Sequence, residues 1–271
     1  MSTKFDLAAL ARRQTNRREI VLPPIQPTKA QADSLALIYL RVVNGWRDNA
    51  EQVVTSYERT LAGMTTDAPN DTSATIETIA EALRRLVLTL TPDLRDWAFR
   101  VEDVHRGKWV RNILSAISIE LDTILSPTDV RDTVEAAIEW NVSLIRDVSE
   151  EVRRKVGNSV FTGFQQRKAA RDVAKEIREA TGLARQRSLR IAADQTVKLG
   201  SRLNQARQEQ AGLTHFKWRH SGKAHPRLQH KERDGKVYPW EGSGIPSDDM
   251  PGIPPFCGCT AQGVVVLGGE G

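Results

Sequence analysis

The chain has 271 residues, 39% hydrophobic and 27% charged, with 39 Lys and Arg against 34 Asp and Glu, a formal charge of +5 and a pI near 9.4. That is enough apolar side chain for a core, with no long uncharged apolar run, so a collagen-like, membrane-spanning or wholly disordered chain is excluded and one or two soluble domains are expected. The two cysteines, Cys257 and Cys259, are too few for a disulfide framework to hold a chain of this size together.

Met1 to Ile20 has no apolar core of signal-peptide length, and Arg12, Arg13, Arg17 and Arg18 follow closely on Leu7 to Ala11. It reads as an exposed basic arm. Val21 to Pro27 follows as a hinge, because three prolines in seven residues block a helix. Residues 1–27 are thus expected as arm and hinge, 28–165 as a helical domain, and 166–271 as a C-terminal domain with helices over 169–211 and a β/loop cap over 213–271.

In the helical part, Leu35, Ile38, Tyr39, Val42, Val43, Trp46, Ala50, Val53, Val54, Tyr57 and Leu61 keep helical spacing and predict one long helix. Ala62 to Ser73 breaks the pattern with Gly, Pro, Asn and Asp, and the stripe resumes from Ile76 to Leu90. Thr91-Pro92 opens a segment through Trp97 to Val104, and Gly107 separates it from Trp109 to Leu125, where Val110, Ile113, Leu114, Ile117 and Leu121 repeat the spacing. Ser126-Pro127-Thr128-Asp129 is a helix start, with a Ser cap, Pro at the first helical position and an acid facing the positive end of the dipole. The helix it opens carries Val130 through Val156. Two further helices are predicted, Ala169 to Thr181 ending at Gly182 and Leu183 to Ala211 ending at Gly212. Nothing before about residue 213 alternates convincingly with period two.

Residues 213 to 271 hold 10 Gly, 6 Pro, four of the five His and both Cys. Thr214 to Arg219, Lys236 to Trp240 and Thr260 to Leu267 read as short strands of a loop-rich unit. Under sixty residues bury too little surface for such a unit to stand alone, so it needs a metal or neighbouring helices. The fold class expected is therefore mainly α, with long N-terminal helices followed by a small C-terminal α+β domain.

Charge is unevenly distributed. Residues 151–213 carry a net +8, the tail +1, and residues 1–150 a net −4. Arg171, Lys175, Arg178, Arg185 and Arg190 lie on the helices predicted there at spacings that keep a face positive. They are candidates for salt-sensitive contact with packaged DNA, against the alternatives of a solvated face or an acidic protein partner.

The densest constellation runs from Trp218 to His230 and on to Cys257-Gly258-Cys259. Thiolates and imidazoles are the ligands zinc prefers, and a Cys-x-Cys hairpin offers two sulfurs to one ion. Cys257, Cys259, His230 and His220 are the candidate zinc ligands, with His225 as a further option. The alternatives are histidines serving a tight loop beside packing cysteines, or a Cys257–Cys259 disulfide of poor geometry. A zinc-activated water beside Asp234 or Glu232 would make a nuclease. No Walker loop or GxGxxG supports nucleotide chemistry.

From about Arg187 to Val266 the chain resembles the phage Mu F-like head-morphogenesis domain. The residues that carry the resemblance are Arg190-Ile191-Ala192 on a helix running to Gly212; Trp218 on a strand; Arg227 and His230; Gly235; and Pro254-Pro255 turning into Cys257 and Cys259. The family usually has Asn before the first Cys and Arg between the two, where this sequence has Phe256 and Gly258. The resemblance implies a minor head protein and no enzyme. It also implies a place in the virion, inside the capsid near the portal vertex, with the portal protein and major capsid protein as partners, and no membrane. In some relatives the protein is delivered with the DNA.

Overall fold

The computed structural model describes residues 4–63, 70–119 and 125–268. Its elements in chain order are α1 (Leu7–Ala11), β1 (Glu19–Val21), α2 (Lys29–Asp48), α3 (Ala50–Ala62), α4 (Asn70–Thr89), α5 (Thr91–Ile117) and a 3-10 turn at Pro127–Val130. Then come α6 (Arg131–Gln166), α7 (Ala170–Gln210), β2 (His215–Arg219), α8 (Leu228–Glu232), β3 (Val237–Pro239) and β4 (Thr260–Val266). The fold is mainly helical with a small four-stranded sheet, as the sequence predicts.

Several boundaries differ from the periodic reading. The stripe from Leu35 to Leu61 is two helices, because Asn49 leaves helical geometry at φ −96°, ψ 4° and its side chain turns back to donate to the Gly45 carbonyl at 2.8 Å. Gly107 and Gly182 do not end helices; α5 and α7 run straight through them. A mid-helix glycine costs only about 1 kcal/mol, which the packed helix faces on either side outweigh. Gly212 does end α7. It sits at φ 68°, and the Leu213 N–H reaches the Gln208 carbonyl at 2.9 Å, a Schellman closure. At Ser126 the predicted start is a capping box: its hydroxyl accepts from the Thr128 N–H and its own N–H donates to Asp129 at 2.8 Å. Residues 64–69 of the predicted break at 62–73, and Leu121, lie outside the described residues, while Asn70 to Ser73 already belong to α4.

The chain forms two compact units. One comprises Asp33–Arg95 and Ile138–Ala192. Its buried Tyr and Trp side chains direct their polar ends at partners. Tyr39 donates to Asn141 at 2.8 Å, Trp46 to Ser149 at 3.1 Å, and Tyr57 to the Lys168 carbonyl at 2.8 Å. Gly163 lets α6 approach Tyr57 and Val173, since a Cβ there would lie 2.8 Å from Val173. On its outside Arg84 and Arg153 thread between Glu77, Glu81 and Glu150.

The other unit comprises Met1–Ala32, Asp96–Ala137 and Ala193–Gly271 and contains the sheet, of order β1-β4-β2-β3, with every neighbouring pair antiparallel. Three separate segments, from both ends and the middle of the sequence, therefore build it, where the sequence reading divides the chain once at residue 165. Residues 4–27, in the stretch expected as an exposed arm and hinge, are built into this unit. β1 pairs Ile20 with Val265, and Leu7, Ala11, Ile20, Leu22 and Ile25 are buried against Trp109, Ile113, Leu213 and Val265. The physical reason is that β4, buried along nearly its whole length, would otherwise leave an open edge of unpaired N–H and C=O groups. A strand of three residues is too short to show in a periodicity scan. The arginines 12, 13, 17 and 18 stay on the outer side.

In the sheet, β2 directs Phe216 and Trp218 inward, and they join Cys257, Cys259 and Ala261 in a compact cluster rimmed by Tyr238, Trp240, Ile245 and Met250. A separate buried polar layer ties α5 to α7. Arg207, with no exposed side-chain surface, donates to Glu102 at 2.5 Å and faces Asp129, while His105 meets Asn204 at 3.0 Å. Among the described residues no helix is long and apolar enough to cross a membrane.

Candidate metal centre

Four short pieces of chain build the centre. β2 places Trp218 on the floor. α8 holds His230 one turn into a five-residue helix, where it is 2% exposed. A single 3-10 turn, Ser247–Asp249, brings up Asp249, and the hairpin before β4 carries Cys257 and Cys259, at 4% and 3% exposure. Neither cysteine is in a disulfide.

The imidazole is held at both ends. Its Nε2 lies 2.8 Å from Asp249 Oδ1, and its Nδ1 lies 3.5 Å from Cys257 Sγ and 3.7 Å from Cys259 Sγ. Arg233 shares Asp249 at 2.6 Å and covers the Trp218 ring at 5.0 Å, while Trp218 meets the imidazole edge-on. Burial works against the Asp249 charge, but hydrogen bonds from His230 and Arg233 hold its carboxyl below the usual range. Hydrogen bonding from Cys259 pulls Cys257 down to about 5, against the opposing effect of burial, and the same contact together with burial pushes Cys259 up. Backbone amides of Gly252 and Ser221 and the Trp218 indole N–H, which has no oxygen or nitrogen acceptor, face these sulfurs.

The hairpin is fixed from three sides. The Phe256 N–H donates to Asp194 on α7 at 2.5 Å, Lys223 Nζ to the Phe256 carbonyl at 2.6 Å, and Arg227 to the Pro255 carbonyl at 3.0 Å. Phe256 sits at φ 58°, a left-handed conformation that Asn adopts more readily than Phe, which gives a physical reason for the usual Asn at this place. Gly258 has no room for a side chain, since a Cβ would stand 2.9 Å from Ser221 Cβ and 3.1 Å from Lys223 Cε.

Of the four ligand candidates, the fold brings three together: the donor atoms of His230, Cys257 and Cys259 all lie within 4.8 Å of one another. His220 is not among them. It is only half-buried, its N–H donates to Asp234, and its Nδ1 accepts from the Gly222 N–H at 3.1 Å, so it shapes the 220–222 turn. His225 is exposed. Asp249 was missed by sequence reasoning; only its acidic neighbour Asp248 and the Pro246 before them hint at a positioned turn. The five cations Arg171, Lys175, Arg178, Arg185 and Arg190 are all exposed on α7, and at 3.6 residues per turn they span roughly 140° of its circumference. Arg187, just outside that arc, pairs with Glu151.

Residues 151–262, which include His230, Asp249, Cys257 and Cys259, match the model of the family described as Phage Mu protein F like protein. An uncharacterized protein of Haemophilus influenzae is 29% identical over 150 residues, which cover 55% of this chain and 33% of that protein. The match thus spans about a third of that relative's length. No solved structure matches.

Proposed function

We propose that this chain is a minor head protein of a tailed phage, placed inside the capsid near the portal vertex, where it assists head assembly by binding portal and major capsid protein rather than by catalysis. The observation that carries this reading is the Mu F-like stretch over 151–262, folded here as the α7–β2–α8–β4 cap with its Trp, His and Cys-x-Cys residues converging in one buried cluster. The long helices α6 and α7, of 36 and 41 residues, supply exposed surface for such contacts. Tagged chain expressed during phage assembly is expected to retain portal protein through purification, and the chain is expected in purified virions. Its absence from virions overturns the reading.

The arc of five exposed cations supports a second contact, with packaged DNA. Neutralising several phosphates requires affinity to fall steeply with salt, by about 0.9 of a log per contact for each log of salt. Binding that is absent at low salt, or indifferent to Arg178→Ala with Arg185→Ala, removes DNA from the partners.

A further inference from the structure

The buried sulfurs and imidazole raise a question that packing alone does not answer. Three polarisable donor atoms face one another, the inward-facing imidazole nitrogen meeting the two sulfurs. A zinc ion bound to sulfur at about 2.3 Å and to nitrogen at about 2.05 Å in tetrahedral geometry sets sulfur and nitrogen about 3.6 Å apart. The observed separations are 3.5 and 3.7 Å. Two thiolates and a neutral imidazole would leave the centre electrically neutral around a divalent ion, which removes the cost of burying unpaired charge. The outer nitrogen already meets Asp249, the carboxylate–histidine arrangement that fixes the tautomer of a metal-binding imidazole.

We propose that His230 Nδ1, Cys257 Sγ and Cys259 Sγ bind one zinc ion, that Asp249 positions the imidazole, and that the fourth coordination position is filled by an exchangeable small donor and not by His220. Among the described residues no fourth His, Cys, Asp or Glu atom joins the set. Room for an outside donor exists beside it: a cavity of about 220 Å³ is lined by Cys259 and Gly258 together with Ser201, Asn204, Ser221 and Lys223. A site with three protein ligands and an open position differs from the closed four-ligand sites that only brace a fold. This inference stands on local geometry, and its outcome is independent of whether the chain copurifies with portal protein.

The test uses reduced full-length protein, purified without chelator. Elemental analysis is expected to find close to one zinc per chain, and cobalt(II) exchanged into the site is expected to give thiolate-to-metal charge-transfer bands with tetrahedral d–d bands. Azide or imidazole added to the cobalt protein is expected to shift the d–d bands. Because Cys257→Ser can fail simply by unfolding, Asp249→Asn provides the second arm: it should keep the helical circular-dichroism spectrum yet bind zinc about 10- to 100-fold more weakly. His220→Ala should leave stoichiometry and spectrum unchanged. No metal and no charge-transfer bands in the wild-type protein overturns the site. A spectrum altered by His220→Ala overturns the ligand set, and d–d bands indifferent to azide and imidazole overturn the exchangeable position.

Discussion

His105 makes a measurable demand on the pH dependence of folding. It is 4% exposed, its Nε2 is bonded to Asn204, and its Nδ1 has no partner. Burial, reinforced by the positive charges of Arg207 and Lys108, outweighs the Asn204 hydrogen bond and pushes its pKa from 6.5 down to about 4. The unfolded chain therefore binds a proton in a range where the folded chain does not. The resulting stability is fully present above pH 6.5, is lost as pH falls from there, and is gone near pH 4. The gap corresponds to roughly 3 kcal/mol, of which about 2 kcal/mol should disappear between pH 7 and pH 4.5. Urea unfolding at those two pH values measures it, with His105→Gln as the comparison, since the amide can still bond Asn204 but cannot titrate. Asp129 and Asp249, both held below the usual carboxylate range, lose their contributions only at lower pH and are common to both proteins. Equal losses in wild type and His105→Gln would refute the assignment of a buried, neutral His105.

Other substitutions probe the same unit. Phe256→Asn relieves a left-handed backbone at a half-exposed position and should raise stability by about 0.5–1 kcal/mol in thermal unfolding, with no loss at other positions. Gly252→Ala should cost more than Gly242→Ala: both glycines have positive φ, but a Cβ at 252 would stand 1.9 Å from Ser201 Oγ and one at 242 meets nothing. About 1–2 kcal/mol is expected for the conformation alone, with the clash added only at 252. Arg207→Met leaves the buried Glu102 carboxylate with only the more distant Arg106, at 3.6 Å, and should destabilise by about 3 kcal/mol, while Glu102→Gln with Arg207→Met together should recover part of it. A double variant costing the sum of the Arg207→Met and Glu102→Gln single costs would show that the pair is not coupled.

Much of this was legible in the residues themselves. Local rules act over a few positions, so the helical stripes, the Ser126 capping box, the Gly212 stop and all three strands of the tail follow from spacing and side-chain type, and the ordered run from Arg190 to Cys259 carried the Mu F-like likeness. Long-range decisions did not follow. Whether Gly107 or Gly182 ends a helix depends on how the flanking faces pack, and whether Glu19–Val21 is an arm or a strand depends on the edge of β4, more than 240 residues away. The same division runs through the centre. Cys257 and Cys259 were identifiable because their chemistry is rare in this chain, but four nearby histidines looked alike in sequence. Only the tertiary structure separated them, by turning His230 alone inward from an exposed helix with Asp249 behind its ring while leaving His220 to close a turn, because ligand geometry is a property of distances between atoms that sequence spacing does not encode.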